Sequence, residues 1–540
     1  MNVAFKKIRE SEMRMVSRCF FAILVCGLSV SSLVAQSACP PRPQVGSIAQ
    51  DALALSSQNG VLNVDFSMAQ SVDVFGYTHV CYRYQTGNTV VEAPTLRLNP
   101  GDTLSLHVTD DITSTGPQSR GAMHMAAPAG KTCGDTGTPT VSSTNVHFHG
   151  LNIPPTCGQD DVLTTLIQPG TPGFQYTVQI PTTEPPGLYW YHPHIHGFTE
   201  FQVNGGAAGA LIVEGMEKYR PEVTGLAERV FTIRQQYLVP WVPGPYELTL
   251  NYVVAEYKPF PGPLILMKPG EKQFWRVLNA TIQDFLPLQL WFDGVPQPLQ
   301  LVALDGYPLA QVRIQDTILL PPAGRAEFIV PAPPPGTLAQ FMTLNYSTGP
   351  TGNPDLETLL GTVELAQSPK DAKAQPPKPS PAPQASIDHL KFSSLSNIKP
   401  TTERKIYFSE EFGGTNGPIQ FYVTVDGQKQ KVFDPNEKPV ITTHVGAVED
   451  WTIENRALET HAFHIHQIHF QMLEVDGQPV TNPDLRDTIQ IPYWSGKGPY
   501  HSVKVRMDFR DPTIAGTFVF HCHVLLHEDQ GMMHKIQVLP

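Results

Sequence analysis

Proline and glycine recur so often along this chain that they limit the structures it can form. The 540 residues include 52 prolines and 42 glycines, and only 16% of the residues are charged. Between these breaks lie short runs rich in β-branched and aromatic residues, such as Gln273–Leu278 and Ile419–Val425. Because proline and glycine interrupt helices and favour turns between strands, the pattern predicts an all-β protein.

The length and composition predict three domains. A hydrophobic content of 41% is enough for several separate cores. Residues 367–386 are too rich in proline and too poor in apolar residues to pack, and they predict a semi-rigid linker. We therefore expect three β-sandwich domains in series, at residues 39–222, 223–366 and 387–540.

The N-terminal residues predict export. An apolar run, Cys19–Val34, follows two arginines and precedes small residues, which is typical of a secretory signal peptide with cleavage near Ala35 or Ala38. We assign residues 1–38 to this signal and expect a periplasmic or secreted protein without a membrane span. The formal net charge of -12 argues against nucleic acid and anionic membranes as partners.

Five cysteines follow the predicted signal. Four of them lie near the N-terminus and can form two disulfides in any of three pairings in an oxidising compartment. These four are Cys39, Cys81, Cys133 and Cys157. Cys522 is left over, and its neighbours His521 and His523 favour a metal ligand over a buried free thiol.

Most of the 19 histidines fall into four clusters. A single His-x-His pair is weak evidence, because roughly one would arise by chance in a chain of this composition. Four clusters, two in the predicted first domain and two in the third, are poorly explained by chance. The clusters are His147-Phe-His149, His192-Pro-His194-Ile-His196, His461-Ala-Phe-His464-Ile-His466, and His521-Cys522-His523, which continues to His527 and Met532.

Strand geometry divides these residues between two sites. Side chains at positions i and i+2 share a face and lie roughly 6.6 Å apart at their Cα atoms. His521 and His523 should therefore face one site, while Cys522 faces the other way. His461 lies three positions before His464, so we expect it on the opposite face, with Cys522.

The thiolate site has a distinctive set of candidate ligands, namely His461, Cys522, His527 and Met532. Two imidazoles, one thiolate and a weak thioether are the ligands of a blue-copper electron-transfer site. Zinc is the main alternative, but structural zinc sites favour paired cysteines, and many imidazoles without a clear carboxylate fit zinc poorly.

With all four motifs present in this order, the sequence resembles the multicopper oxidases, the family that includes laccases, bilirubin oxidases and bacterial cuprous oxidases. The resemblance covers nearly the whole mature chain. It implies three cupredoxin domains and four copper ions, with a trinuclear cluster between the first and third domains. It implies type 1 copper at His461, Cys522 and His527 with Met532 axial, type 2 copper at His147 and His464, and a type 3 pair at His149, His192, His194, His466, His521 and His523.

The implied activity is one-electron oxidation of a reducing substrate coupled to four-electron reduction of dioxygen to water. The family also implies an acidic proton relay, matched by Glu528 and by Asp160, with Asp161 as the alternative to Asp160. His196 matches no ligand position, so we expect hydrogen bonding or packing from it.

Phenols or aromatic amines are the expected substrates, as in laccases. A metallo-oxidase of cuprous or manganous ion would share every ligand, although the third domain lacks the methionine-rich insertion that often accompanies cuprous oxidation. Glu459 could steer either a phenolic proton or a cation. A non-catalytic copper-binding envelope protein would have lost ligands, and none is lost in this sequence.

Overall fold

The computed structural model describes residues 39–73, 77–112, 133–236, 247–255, 261–366, 385–386, 390–392, 395–413 and 419–540. All of them belong to one compact unit, Ser37–Pro540. The predicted signal peptide and nearly all of the predicted linker lie outside the described residues. The α-helices in these ranges are short: α1 (Thr199–Gly205), α2 (Met216–Tyr219) and α3 (Leu525–Asp529). The prediction of an all-β protein is confirmed, and no described helix is long and apolar enough to cross a membrane.

The first pair of sheets is built from strands that alternate between core and surface. In β6, Leu104, Leu106 and Val108 are buried, while Ser105 and His107 between them are not. The sheet orders are β1-β5-β12-β11-β8 and β10-β6-β2-β3-β4, with β7 paired to β9. The strands are β1 (Ala54–Ser56), β2 (Val61–Val72), β3 (Thr78–Thr86), β4 (Thr89–Glu92), β5 (Thr95–Leu98), β6 (Thr103–Asp110), β7 (Cys133–Gly134), β8 (His147–His149), β9 (Thr165–Leu166), β10 (Phe174–Gln179), β11 (Gly187–His192) and β12 (Gly209–Val213).

The second pair of sheets packs against the first through an apolar contact that joins Leu188 and Trp190 to Val230 and Leu278. Its orders are β15-β14-β13-β17-β23-β20-β21 and β16-β25-β24-β18-β19, with β22 beside β18. The strands are β13 (Ala227–Gln236), β14 (Glu247–Leu250), β15 (Val253–Val254), β16 (Leu264–Met267), β17 (Lys272–Ala280), β18 (Leu286–Phe292), β19 (Val295–Pro296), β20 (Leu299–Leu304), β21 (Tyr307–Gln315), β22 (Ile318–Leu320), β23 (Arg325–Pro331), β24 (Ala339–Thr343) and β25 (Thr358–Leu365).

The third pair of sheets encloses a core that includes Trp451, Phe463, Phe520 and Cys522. Its orders are β27-β26-β29-β35-β31-β32, with β33 beside β31, and β28-β37-β36-β30-β34. The strands are β26 (Thr402–Phe412), β27 (Ile419–Val425), β28 (Ile441–His444), β29 (Ala447–Asn455), β30 (His461–Ile465), β31 (Phe470–Val475), β32 (Gln478–Pro479), β33 (Leu485–Arg486), β34 (Thr488–Ile491), β35 (His501–Phe509), β36 (Gly516–Cys522) and β37 (Met533–Leu539). Short 3₁₀ helices cover Pro221–Val223, Leu395–Asn397 and Pro512–Ile514.

Two disulfides select one of the three pairings that the sequence left open. Cys39 is bonded to Cys81, and Cys133 is bonded to Cys157. Cys522 is a buried free thiol.

Candidate metal centres

Two pairs of short strands carry the four histidine clusters. In the first sheet pair, β8 lies next to β11, and His147 is paired with His192. In the third sheet pair, β30 lies next to β36, and His464 is paired with His521. Because directly paired residues project to the same face of a sheet, each strand pair presents several imidazoles on one face.

Strand β36 sends adjacent side chains to different sites. The Sγ atom of Cys522 lies 3.5 Å from His461 Nδ1 and 3.9 Å from His527 Nδ1, and these two nitrogens are 3.3 Å apart. His521 and His523 belong instead to groups formed with other histidines. The thiol and its two flanking imidazoles therefore serve separate clusters.

Met532 is tied by its backbone to both ends of the thiolate site. Its N–H donates to the carbonyl of His527 at 2.9 Å, and its own carbonyl accepts from the N–H of Cys522 at 3.1 Å. The side chain is buried and belongs to the same apolar core as Cys522. Met532 therefore lies next to the thiolate site along the backbone, and its axial role stays a prediction.

Eight buried imidazoles form the second site. Their candidate ligand atoms fall into three groups, each within 4.8 Å: His147, His149 and His464; His149, His192 and His523; His194, His466 and His521. The first group contains the two predicted type 2 ligands. The other two groups divide the six predicted type 3 ligands into three and three.

These side chains have the properties that a bound metal requires. Burial lowers the pKa of His192 to about 3 and that of His194 to about 4, so both imidazoles are neutral at pH 7 and offer a lone pair. Among the residues described, the buried nitrogens His147 Nε2, His192 Nε2 and His464 Nε2 have no hydrogen-bond partner. Closely spaced, unpaired donors of this kind are explained by metal ligation. The thiolate and thioether at the other site select copper over zinc.

Asp160, rather than Asp161, reaches the cluster. Both oxygens of Asp160 lie 3.0 Å from His147 Nδ1, and Asp160 Oδ1 also accepts from the Phe148 N–H at 2.9 Å. Gln467 Nε2 donates to its other oxygen. Asp161 accepts from Thr164 instead. Of these two carboxyl groups, that of Asp160 therefore fixes the ring of a candidate ligand.

A second carboxylate, Asp487, orients two further imidazoles. Its backbone carbonyl lies 2.8 Å from His464 Nδ1, and its Oδ1 atom lies 3.3 Å from His149 Nε2. Burial opposes ionisation of Asp487, but the guanidinium of Arg325 holds its pKa at about 2. Asp487 is therefore a carboxylate at any physiological pH.

Glu528 contacts a different group of histidines from Asp487. One of its oxygens is 3.1 Å from His521 Nδ1, and the other is 3.5 Å from His194 Nε2. The carboxyl group is completely buried in α3, one residue after His527. The predicted proton-relay residue is therefore in contact with the cluster.

Two glutamates border the outer edge of the thiolate site. Glu410 lies 3.4 Å from His461 Nε2, and Glu459 lies 3.6 Å from His527 Nε2. Burial raises the pKa of Glu459 to about 8, and its hydrogen bond with Glu410 contributes to the increase. The side chain of Glu459 is 16% exposed, so solvent reaches this edge of the site.

His196 stands apart from the three ligand groups. It lies edge-to-face against Phe433 with ring centroids 4.8 Å apart, and burial lowers its pKa to about 4. This packing agrees with the expectation that His196 is not a ligand.

Sequence reasoning missed Arg325, Asp487, Gln467 and Glu410. None of them lies in a histidine motif, and Arg325 belongs to the second sheet pair, which supplies none of the grouped histidines described above. Their roles depend on contacts between distant segments, for which the sequence carries no local spacing signal.

Fold and site together define a copper-dependent oxidoreductase. Family models described as multicopper oxidase match residues 140–218 and 412–540, the two segments that carry the histidine clusters. The chain belongs to the multicopper oxidase family, and its acceptor is oxygen.

Individual relatives are distant in sequence but similar over most of the chain. A multicopper oxidase of Staphylococcus haemolyticus is 26% identical over 414 residues, which cover 73% of this chain and 77% of that protein. A laccase of Haloferax volcanii is 27% identical over 425 residues, which cover 72% and 66%. The solved structure of a multicopper oxidase from Campylobacter jejuni, described as a metallo-oxidase, aligns with a TM-score of 0.64 at 20% identity, covering 92% of this chain and 96% of that one. The McoA multicopper oxidase of Aquifex aeolicus aligns with a TM-score of 0.66 at 18% identity, covering 92% and 100%. These structures confirm the predicted cupredoxin-like fold class.

Proposed function

We propose that this protein oxidises a small reducing substrate one electron at a time at the Cys522 site and reduces dioxygen by four electrons to water at the eight-histidine site. One observation carries the proposal: Cys522, the last residue of β36, presents its thiol to one site, while its neighbours His521 and His523 present imidazoles to the other. A protein that only stored copper would not need this covalent connection.

Four copper ions are proposed, with the assignments that the sequence predicts. His461, Cys522, His527 and Met532 would hold the first. His147 and His464 would hold the second, and the two groups of three histidines would hold the remaining pair. When bound, these ions supply reversible one-electron chemistry and a place for dioxygen.

The chain itself supplies the connection between the two sites. Cys522 is bonded through the backbone to both His521 and His523. His521 Nδ1 also lies 2.9 Å from the Cys522 carbonyl, to which it donates if it carries the proton. This hydrogen bond fixes the orientation of the ring and leaves Nε2 for a metal.

Reduction of one dioxygen to water consumes four protons, and Glu528 is the better placed carrier. Neither of its oxygens has a hydrogen-bond partner of good geometry within the described ranges, although both approach imidazoles. Asp160 already accepts from Phe148 and Gln467. We therefore propose that Glu528 holds and delivers protons, while Asp160 orients His147.

Phenols or aromatic amines are the proposed donors. Glu459, 3.6 Å from His527 Nε2, would accept the proton that a phenol loses with its electron at pH values above the Glu459 pKa of about 8.

The hydrogen bond between Glu410 and Glu459 also supports a second candidate function, the oxidation of a cuprous or manganous ion. Glu410 Oε1 is buried and has no hydrogen-bond partner in the part of the chain that is described, so the two carboxyl groups could hold a cation. A non-catalytic copper protein is the third alternative.

Oxygen uptake by the copper-loaded protein tests these alternatives, with a phenol, cuprous ion and manganous ion as parallel donors. The proposal predicts one dioxygen consumed for every four electrons, without hydrogen peroxide. Glu459→Gln should lower kcat/KM for the phenol about 100-fold. Glu454→Gln, at 14% side-chain exposure close to the 16% of Glu459, is the matched control. If Glu459→Gln loses oxygen uptake only with cuprous or manganous ion as the donor, the metallo-oxidase is favoured. A blue protein that consumes no oxygen with any of the three donors would contradict both proposed enzymatic functions.

Export is proposed as well. Two disulfides in the first sheet pair support folding in an oxidising compartment such as the periplasm or the extracellular space.

A further inference from the structure

Arg325 is a completely buried arginine at the start of β23, in the sheet pair that supplies none of the grouped histidines described above. Its Nε atom donates to the carbonyl of Leu188, in the first sheet pair, at 3.1 Å. Its Nη1 and Nη2 atoms donate to the two carboxylate oxygens of Asp487, in the third sheet pair. This guanidinium therefore connects all three sheet pairs at one point.

Asp487, whose carboxylate pairs with Arg325, contacts two imidazoles of the cluster. Asp487 Oδ1 lies 3.3 Å from His149 Nε2, and the Asp487 carbonyl lies 2.8 Å from His464 Nδ1. The two imidazole rings are stacked with centroids 3.9 Å apart. Within the described residues, His149 Nδ1 and His464 Nε2 have no hydrogen-bond partner, so the nitrogens left over are those available to metal.

The glycine after His149 gives independent evidence that this arrangement is tightly built. Gly150 has a φ of +89°, and a Cβ atom there would lie 2.7 Å from both Arg325 Nη2 and Asp487 Oδ2. The ion pair occupies the space that any other residue would need for its side chain. The local sequence is thus adapted to a guanidinium contributed from 175 positions further along the chain.

We propose that Arg325 is a positioning residue for the eight-histidine site: by holding Asp487 with two parallel hydrogen bonds, it fixes the ring angles of His464, assigned to the mononuclear copper, and of His149, assigned to the copper pair. Through Arg325, the second sheet pair thereby sets the orientation of ligands in the eight-histidine site, although it supplies none of the candidate ligands described above. The inference rests on the proposed copper assignment at His147 and His464. A lysine cannot replace this arginine, because one ammonium group does not reproduce the planar two-point contact with a carboxylate.

The test compares Arg325→Lys with Arg276→Lys in the copper-loaded protein. Arg276 is equally buried in the same sheet pair, but it pairs with Glu327 and Glu228. Copper per chain, the paramagnetic signal of the mononuclear site and the blue absorption of the Cys522 site are followed during titration with a chelator. Residues that orient metal ligands typically change metal affinity about 10–100-fold. Arg325→Lys should weaken copper binding at the eight-histidine site by that factor and leave the blue absorption per chain unchanged, while Arg276→Lys changes neither.

Two further variants keep the inference testable if Arg325→Lys does not fold. Asp487→Asn retains an acceptor for His149 but removes the negative charge. Gly150→Ala introduces a Cβ atom that clashes with the ion pair of Arg325 and Asp487, without removing either partner. Both should give the same selective loss. Equal loss of copper from both sites, or an equal effect of Arg276→Lys, would overturn the inference. Because metal content is measured separately from oxygen uptake, a wild-type protein that binds copper but consumes no oxygen would contradict the proposed function alone.

Discussion

Replacing Asp160 by asparagine should weaken copper binding without weakening the fold. An amide oxygen can still accept from the Phe148 N–H and face His147 Nδ1, which now lie 2.9 and 3.0 Å from the carboxylate. The amide nitrogen would face Gln467 Nε2, but the Gln467 side chain can rotate, because its Oε1 atom has no hydrogen-bond partner among the residues that the structure describes. The main change is therefore loss of negative charge.

The magnitude follows from the number of bonds affected. Hydrogen bonds to a charged group contribute about 1 kcal/mol more than neutral ones. The one such bond to a candidate ligand, His147, gives about 1 kcal/mol, or about 5-fold in the affinity of the His147 site for copper. Burial raises the pKa of Asp160, so a neutral amide should leave the metal-free protein at least as stable as the wild type.

Asp161→Asn is the matched control, because Asp161 accepts from Thr164 and lies next in the chain. Copper content is measured after equilibration with a competing chelator, and the unfolding temperature is measured on the metal-free proteins. Asp161→Asn should change the affinity less than 2-fold, as an estimate for a residue outside the ligand network. An equal effect of the two variants, or a less stable metal-free Asp160→Asn, would refute the reasoning.

Three other variants test separate parts of the structure. Cys522→Ser should abolish the blue absorption and substrate oxidation while circular dichroism stays unchanged; retained blue colour would contradict the thiolate site. Glu184→Gln should flatten the pH dependence of unfolding of the metal-free protein. Burial raises the pKa of Glu184 to about 7, so the native state keeps a proton that the unfolded state loses from about pH 4.5 upwards. The free energy of unfolding of the wild type therefore falls by on the order of 3 kcal/mol between pH 4.5 and pH 7. Replacing Cys133 and Cys157 by serine opens a loop with a sequence separation of 24 and should cost about 3 kcal/mol in denaturant unfolding, whereas an unchanged midpoint would show that this disulfide is dispensable.

The two-residue periodicity of a strand was sufficient to predict to which sites the side chains of His521 and Cys522 project. The two-residue repeat of a strand placed Cys522 opposite His521, and the structure has these side chains in different groups. Turn residues likewise predicted the all-β class. In these cases the controlling interactions lie within a few residues, so the sequence expresses them directly.

Long-range contacts were beyond the reach of the same reasoning. The choice between Asp160 and Asp161 depends on which carboxyl group points to His147, and neighbouring residues give no preference. Arg325 and Asp487 are 162 positions apart. Their pairing is decided by how three sheet pairs pack together, which no spacing rule in the sequence encodes.

The position of β36 also affects what an unfinished chain can do. A polypeptide that ends before Gly516 has neither the sulfur ligand nor His521 and His523, so it loses both centres together. Translation that stops before Gly516, or removal of the chain from that point by a protease, would therefore take candidate ligands from both proposed centres at once. If the proposed assignment holds, a chain without β36 would have neither complete centre, and oxygen chemistry would depend on synthesis reaching this strand.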